Sequence, residues 1–293
     1  MKKKKVYPLY FLILPVAVYG LLFFLPSMFS FYYAMTDWNS YNSEIHFVGF
    51  ENYKTILKDS KNYLHALGNT LFFTVGTTVL KNGLGLLLAL VLNGKVKGKN
   101  MLRLIFYLPV TMAPLIVGLI FTSILNPSYG LLNTCLRAIG LGGLTKAWLV
   151  NKNTAMVSVV MVEVWKSVGF NMIIYLAGLQ TIPKDYAEAA SIDGAGKWHV
   201  FRYITLPMLM PSIQVNLLLN LINGFKVFEL VFILTRGGPG NLTEVLNTLV
   251  FGEFSAGRYG LSTAFGVLLL LITAVIAFSS LKILSRWAGG EED

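Results

Sequence analysis

The chain has 293 residues, of which 13% are charged and 55% are hydrophobic, and its mean hydropathy is +0.63. A soluble domain of this length needs a charged surface, so this balance indicates a lipid-facing exterior. The formal net charge of +10 does not indicate nucleic-acid binding, because the basic residues lie in short segments between apolar runs. Cys135 is the only cysteine, which excludes an intramolecular disulfide, and the three histidines do not indicate a dedicated metal site.

The chain opens with four lysines at positions 2–5, after which no charged residue occurs from Val6 to Thr36. This run of about 31 residues is roughly twice the apolar part of a signal peptide. It also has no clear small-residue cleavage site. The N-terminus therefore predicts a first membrane span that is retained.

A helix needs about 20 mainly apolar residues to cross the hydrocarbon core of a bilayer. Runs of this kind predict an all-α integral membrane protein, with one membrane domain over residues 1–293 and both termini on one side. The six predicted spans cover residues 8–34, 68–93, 104–126, 155–178, 208–235 and 261–285.

Lysine and arginine predict the orientation of these spans. The termini and the connections at 94–103 and 179–207 carry about 13 basic residues, whereas the opposite connections carry about eight over longer loops. The first set is therefore predicted to be cytoplasmic. This places both termini inside and the loops at 37–67, 127–153 and 236–260 outside.

The cytoplasmic connection at 181–207 predicts two short helices. Pro183 suits a first helical position, and the Ala-rich stretch after it favours a helix over about 183–192. Gly194 and Gly196 end that helix, a second one begins at Lys197, and Leu206-Pro207 ends it. The product is a helix-turn-helix that presents aromatic side chains at the membrane surface.

This loop resembles the EAA loop of the permease subunits of ATP-binding-cassette (ABC) importers. The spacing of an acidic residue and two alanines, a glycine, and a final Ile-x-Leu-Pro carries the resemblance. In that family the loop docks into a groove of the ATPase subunit. The resemblance implies the same coupling role for Glu188, Ala189, Ala190, Asp193, Gly194, Ile204, Leu206 and Pro207.

A second stretch, residues 225–244, resembles the end of the fifth span in the carbohydrate-uptake branch of these permeases. It contains the pattern Thr-x-Gly-Gly-Pro-x-x-x-Thr, in which Gly237, Gly238 and Pro239 form a predicted external turn toward a binding protein. Residues 47–53, 165–170 and 177–183 also match. The resemblance implies the fold of the maltose, lactose and glycerol-phosphate permease subunits, without the extra spans and large insertion of the enterobacterial maltose subunit.

The resemblance also implies the partners. It predicts a second related permease, two ATPase subunits or a homodimeric ATPase, and an extracytoplasmic sugar-binding protein, all at the bacterial cytoplasmic membrane. This chain is predicted to bind no cofactor, with ATP and Mg²⁺ on the ATPase. No catalytic constellation and no phosphate-binding loop occurs in the sequence, so the chain is predicted not to be an enzyme.

Charged residues inside the predicted spans are candidate functional residues because such charges are costly in lipid. They are Lys81, Glu163, Lys166, Lys226 and Glu229. Glu163/Lys166 and Lys226/Glu229 are spaced i, i+3, which predicts two pairs that each lie on one helix face. For the first pair a structural role is favoured. The second lies beside Asn220, Asn223 and Phe228, which makes these five residues candidates for the substrate path of a sugar.

Two other functions stay open at this point. An importer for a polyamine or another non-sugar solute would share the EAA loop, although the Thr-x-Gly-Gly-Pro stretch argues against it. An ion-coupled secondary transporter would use the buried lysines and glutamates as an ion relay. Such a carrier often has repeat symmetry, which this sequence lacks.

Overall fold

The computed structural model describes residues 9–288, with side chains for residues 10–282. Within these residues the protein is helical and has no β-strand, although an isolated bridge joins Thr36 and Phe47. The predicted all-α fold is confirmed. The four N-terminal lysines, which contribute to the orientation argument, lie outside the described residues.

The longer helices are numbered here in chain order. They are α1 (Tyr10–Tyr33), α2 (Glu51–Lys58), α3 (Ser60–Asn93), α4 (Lys99–Thr111), α5 (Pro114–Ile124), α6 (Leu131–Ala138), α7 (Ala155–Thr181), α8 (Lys184–Ile192), α9 (Lys197–Met208), α10 (Met210–Phe225), α11 (Glu229–Thr235), α12 (Leu246–Ser255) and α13 (Tyr259–Ala288).

Among the described residues, four helices are long and apolar enough to cross a membrane: α1, α3, α7 and α13. Two bent pairs, α4 with α5 and α9 with α10, pass the same test when each pair is taken as one span. Helices occur in all six predicted spans, although the fifth, residues 208–235, covers α10 and α11 rather than α9 and α10. The third and fifth are not the continuous helices that the sequence predicted.

Proline explains both bends. Between α4 and α5 the chain turns by 98°, at Met112 and Ala113, which are both extended; Pro114 disfavours helical backbone at Ala113, directly before it. Between α9 and α10 it turns by 64°, at Leu209, with Pro207 and Pro211 on either side. Apolar composition predicts that a segment enters the membrane, but the local geometry of proline decides whether it is straight.

The helix α3 shows how the membrane helices bury polar residues and expose apolar ones. Its buried stripe runs from Ala66 to Leu92 at intervals of three and four residues and includes four threonines and Lys81. Its opposite face exposes leucine, valine and phenylalanine. This pattern is expected in lipid, where small and polar residues join helices and aliphatic residues face outward.

The chain divides into two compact units. The first consists of residues up to Tyr63 together with Leu249–Leu271. Its core contains Ala34, Ile56, Ala264 and Val267. In the connection between α1 and α2 the Asp37 carboxylate accepts a hydrogen bond from the backbone N–H of His46 at 2.7 Å, which lowers the pKa of that carboxyl below its usual value.

The second unit consists of Leu64–Thr248 together with the residues from Ile272 onward. It has two apolar clusters. One packs α5, α7 and α11 together around Val117, Val159 and Val231, and the other packs α3 and α7 around Leu92, Tyr175 and Leu209. The candidate functional residues of the sequence analysis all belong to this unit. The prediction of a single membrane domain stays a prediction.

Candidate functional site

A cavity of about 320 Å³ in the second unit collects the five charged residues that the sequence analysis selected as functional candidates. Lys81 comes from α3, Glu163 and Lys166 come from α7, and Lys226 and Glu229 come from the break between α10 and α11. We call this cavity the charged cavity. Its remaining lining residues are Phe73, Pro114, Asn223, Gly224, Val227, Phe228 and Leu230. Its volume lies at the small end of the range of about 300–1,000 Å³ typical of small-molecule sites.

The deepest charges of this cavity form an ion pair between two spanning helices. The Nζ of Lys81 donates to Oε1 of Glu163 at 3.3 Å, and the lysine side chain is only 4% exposed. The hydroxyl of Ser167 donates to the same oxygen at 2.8 Å. Glu163 and Lys166 share one face of α7 and line the same cavity, as predicted, but Glu163 forms its ion pair with Lys81 on α3, a partner that sequence spacing could not reveal.

The structure also contradicts the predicted Lys226/Glu229 face. The helix α10 ends at Phe225, residues 226–228 are not helical, and Glu229 begins α11. The carbonyl group of Lys226, freed by this break, accepts the side-chain amide of Asn247 at 2.8 Å. Irregular backbone at membrane depth is tolerated where it is buried in protein or lines a cavity, and the charged cavity meets that condition.

A close approach of backbones positions the break. A Cβ atom added at Gly224 would lie 2.7 Å from Cγ2 of Thr74, so only glycine allows α10 to pack this tightly against α3. This contact brings the end of α10 to Phe73 and Lys81. Sequence reasoning missed Thr74 and Gly224, although small residues at helix contacts are the known signal for such packing.

The predicted path residues separate in the structure. Asn223 and Phe228 line the charged cavity, and the Phe228 ring stacks on Phe232 with centroids 5.1 Å apart. Asn220 lies one turn away and is only 4% exposed, outside the residues that line the cavity. Its side-chain nitrogen has no hydrogen-bond partner among the described residues. Four of the five predicted path residues therefore line one cavity, and their role in a substrate path stays a prediction.

The Thr-x-Gly-Gly-Pro-x-x-x-Thr pattern forms a closed loop after α11. The hydroxyl oxygen of Thr243 lies 2.7 Å from that of Thr235 and 2.9 Å from the carbonyl oxygen of Gly238. Gly237 has a φ angle of +81°, which glycine adopts without strain, and the peptide bond between Gly238 and Pro239 is cis. The two threonines of the pattern thus close the turn that the glycines and proline make possible.

The same loop is held by the beginning of α3. Nδ2 of Asn69 donates to the carbonyl oxygens of Leu242 and Glu244, at 3.2 and 2.9 Å. Nε2 of His65 lies 3.0 Å from the carbonyl oxygen of Asn241. Sequence reasoning missed both side chains, since they lie more than 170 residues from their partners. Pro239 itself is exposed.

The predicted helix-turn-helix is present as α8 and α9, which we call the α8–α9 segment (residues 184–208). Gly194 has a φ angle of +83°, and Ala195 N–H donates to the carbonyl oxygen of Ala190 at 2.9 Å, which closes the C-terminus of α8. Pro183 precedes the first helical residue rather than occupying it. Pro207 does not end α9, which continues to Met208.

The α8–α9 segment exposes an aromatic surface. Tyr186, Trp198 and Tyr203 are 55%, 69% and 71% exposed, which is unusual for such side chains in a polar connection. Of the eight predicted coupling residues, Ala190, Ile204 and Leu206 are half-buried and the others are exposed. The segment therefore presents a surface that could receive another protein.

Comparison with known proteins identifies the class of this chain. The family described as "Binding-protein-dependent transport system inner membrane component" matches residues 81–289. The chain is 36% identical to the probable ABC transporter permease protein YurN of Bacillus subtilis (strain 168), over 96% of this chain and 97% of that protein. It is 34% identical to the multiple sugar-binding transport system permease protein MsmF of Streptococcus mutans serotype c (strain ATCC 700610 / UA159), over 94% of each.

A solved structure shares the fold. It is a bacterial ABC transporter involved in the import of the acidic polysaccharide alginate, with a TM-score of 0.82 and 27% identity over 95% of each chain. The same type of transporter has been solved in complex with an alginate pentasaccharide-bound periplasmic protein, with a TM-score of 0.82 over 96% of this chain and 94% of that one.

Proposed function

Because the chain belongs to the family of binding-protein-dependent transport system inner membrane components, we propose that the charged cavity is its share of a sugar translocation path. The chain is a multi-pass membrane protein and a permease subunit of a sugar ABC importer. The observation that carries this function is the similarity to a sugar permease over 94% of the chain.

The two alternative functions, an importer of a non-sugar solute and an ion-coupled secondary transporter, lack this support from similar proteins. Among the relatives named here, MsmF is a sugar permease, and the solved structure belongs to an alginate importer. Neither is a polyamine importer or an ion-coupled carrier.

The α8–α9 segment is the proposed contact with the ATPase. A pair of short helices joined by a hydrogen-bonded turn transmits displacement better than a flexible loop, because few of its dihedral angles are free to absorb the motion. The exposed aromatic surface at Tyr186, Trp198 and Tyr203 supplies apolar area for docking. The eight coupling residues named from the sequence remain part of this proposal.

The broken helices supply a way to convert that displacement into alternating access. A push on α9 acts through the 64° bend at Leu209 on α10, whose other end forms the wall of the charged cavity. Motion at such bends is concentrated in a few residues, so the helices on either side move as rigid bodies. The substrate path would then open alternately to the two sides.

The proposed assembly has further members. A second related permease completes the path, two ATPase subunits or a homodimeric ATPase hold ATP and Mg²⁺, and an extracytoplasmic binding protein delivers the sugar. The solved complex of the alginate transporter with its periplasmic protein supports the last of these. The closed loop at Gly237, Gly238 and Pro239 is a proposed external contact. Both termini are proposed to be cytoplasmic.

Purification of this chain from native membranes under mild conditions, followed by mass spectrometry, tests the proposal. We expect a second permease, an ATPase and a sugar-binding protein to co-purify at levels above those seen with an unrelated tagged membrane protein. Recovery of the chain without an ATPase would contradict the importer and favour an ion-coupled carrier.

A further inference from the structure

The charges of the cavity do not balance. Three lysines and two glutamates line it, so it carries one net positive charge when all five are ionised. Lys81 and Glu163 neutralise each other through their ion pair. Lys166, Lys226 and Glu229 remain, and within residues 10–282 none of these three forms an ion pair.

Two of these residues lie at helix ends. Lys226 follows the last residue of α10, where backbone carbonyl groups point toward a cation. Glu229 is the first residue of α11. The third, Lys166, is half-buried on α7, one helical turn beyond the paired Glu163.

A second lysine without an ion pair is unfavourable in a membrane cavity unless a ligand or water compensates it. Lysine acts on an anionic group as a flexible point charge with three donors. With Asn223 to donate to hydroxyl groups and the Phe228 ring as an apolar face, the cavity offers the contacts that a charged saccharide needs.

We infer that the saccharide carried by this permease bears an anionic group, a carboxylate or a phosphate or sulfate ester, which Lys166 and Lys226 bind in the charged cavity. This inference rests on the proposed function, since it names the substrate class of the same path. Glu229 accepts hydroxyl hydrogen bonds and opposes a second anionic group at the same place.

The test uses the whole transporter, with its partner permease, ATPase and binding protein, in lipid vesicles that contain ATP on the ATPase side. The probe is an equimolar pool of short oligogalacturonates, sugar phosphates and sulfated oligosaccharides together with neutral malto-, cello- and galacto-oligosaccharides. Mass spectrometry identifies the sugars that accumulate inside when ATP is present. Preferential accumulation of an acidic saccharide is the expected result.

Preferential accumulation of a neutral sugar would overturn the inference while leaving sugar import intact. The lysines would then be balanced by the partner permease. Accumulation of no sugar would contradict the proposed sugar import, and the inference would fall with it.

Charge variants connect the preference to the cavity. Lys166→Gln and Lys226→Gln are each expected to raise the KM for the acidic saccharide about tenfold, because each removes a hydrogen bond to a charged group. Glu229→Gln is expected to lower that KM, since it removes a repulsive charge. Lys152→Gln changes an exposed lysine of an external loop and should have no effect.

The expected changes in KM have opposite signs in the lysine variants and in Glu229→Gln, which distinguishes anion binding from general damage to the protein. A similar loss of uptake in Lys166→Gln, Lys226→Gln and Glu229→Gln would indicate a structural role for the three residues and would contradict the inference. Unchanged KM in both lysine variants would also contradict it.

Discussion

At the scale of single residues, the Lys81–Glu163 ion pair is the contact whose removal has the clearest expected cost. Both groups come from spanning helices, and the pair links α3 to α7 beside the cavity. Sequence reasoning identified both residues as candidates because charges in spans are rare. It chose the wrong partner for Glu163 because the i, i+3 rule considers only neighbours on the same helix.

Lys81→Met is expected to destabilise the chain by about 3–5 kcal/mol, since it leaves the carboxylate of Glu163 in the membrane without its partner. The double variant Lys81→Met with Glu163→Gln should recover part of that loss, because no uncompensated charge remains. Thermal unfolding of the detergent-purified variants measures both. Equal stability of the single and double variants would contradict a contribution from the ion pair.

At the scale of elements, the turn between α8 and α9 depends on one backbone conformation. Gly194 lies at a φ of +83°, which a β-branched residue rarely adopts, whereas Gly196 lies at −71° with extended backbone. A Cβ atom at either glycine would meet no atom within 4 Å. The two positions therefore differ in backbone conformation and not in available space.

Gly194→Val is expected to reduce co-purification of the ATPase several-fold, because it costs roughly 1–2 kcal/mol at the turn and shifts α9 relative to α8. Gly196→Val, with the same side chain two residues later, should leave co-purification unchanged. Quantitative mass spectrometry of the purified complex compares the two. Equal ATPase recovery from both variants would indicate that the geometry of this turn does not matter for docking.

At the scale of the whole molecule, the orientation across the membrane is the property on which the proposed assembly depends. The only cysteine, Cys135, is exposed and lies in a connection predicted to be external, and Ser191 is exposed in the α8–α9 segment. One natural probe and one conservative substitution therefore mark the two sides.

A membrane-impermeant maleimide is expected to label Cys135 in intact cells. Ser191→Cys, placed in a Cys135→Ser background, should react only after the cells are opened, because the α8–α9 segment would face the cytoplasm. The Cys135→Ser protein serves as the unlabelled control. Labelling of Ser191→Cys in intact cells would reverse the predicted orientation and exclude docking of a cytoplasmic ATPase there.

The sequence by itself determined the class of fold and the place of each local element. Hydrophobic runs are a property of composition, so helices occur in all six predicted spans. Helix propensity and glycine placed α8 at Lys184–Ile192, against the predicted 183–192, because the forces that start and end a short helix act within a few residues.

Only the tertiary structure decided how these elements meet. The partner of Glu163 lies 82 residues away, Asn220 is buried while Asn223 lines the cavity, and Lys226 and Glu229 are separated by a break in the helix. Each outcome depends on which helices pack together. The i, i+3 spacing rule assumes a continuous helix, and the break between α10 and α11 removes that assumption. The break leaves the carbonyl group of Lys226 without a partner in its own helix, and the membrane tolerates this group because Asn247, from another helix, donates to it.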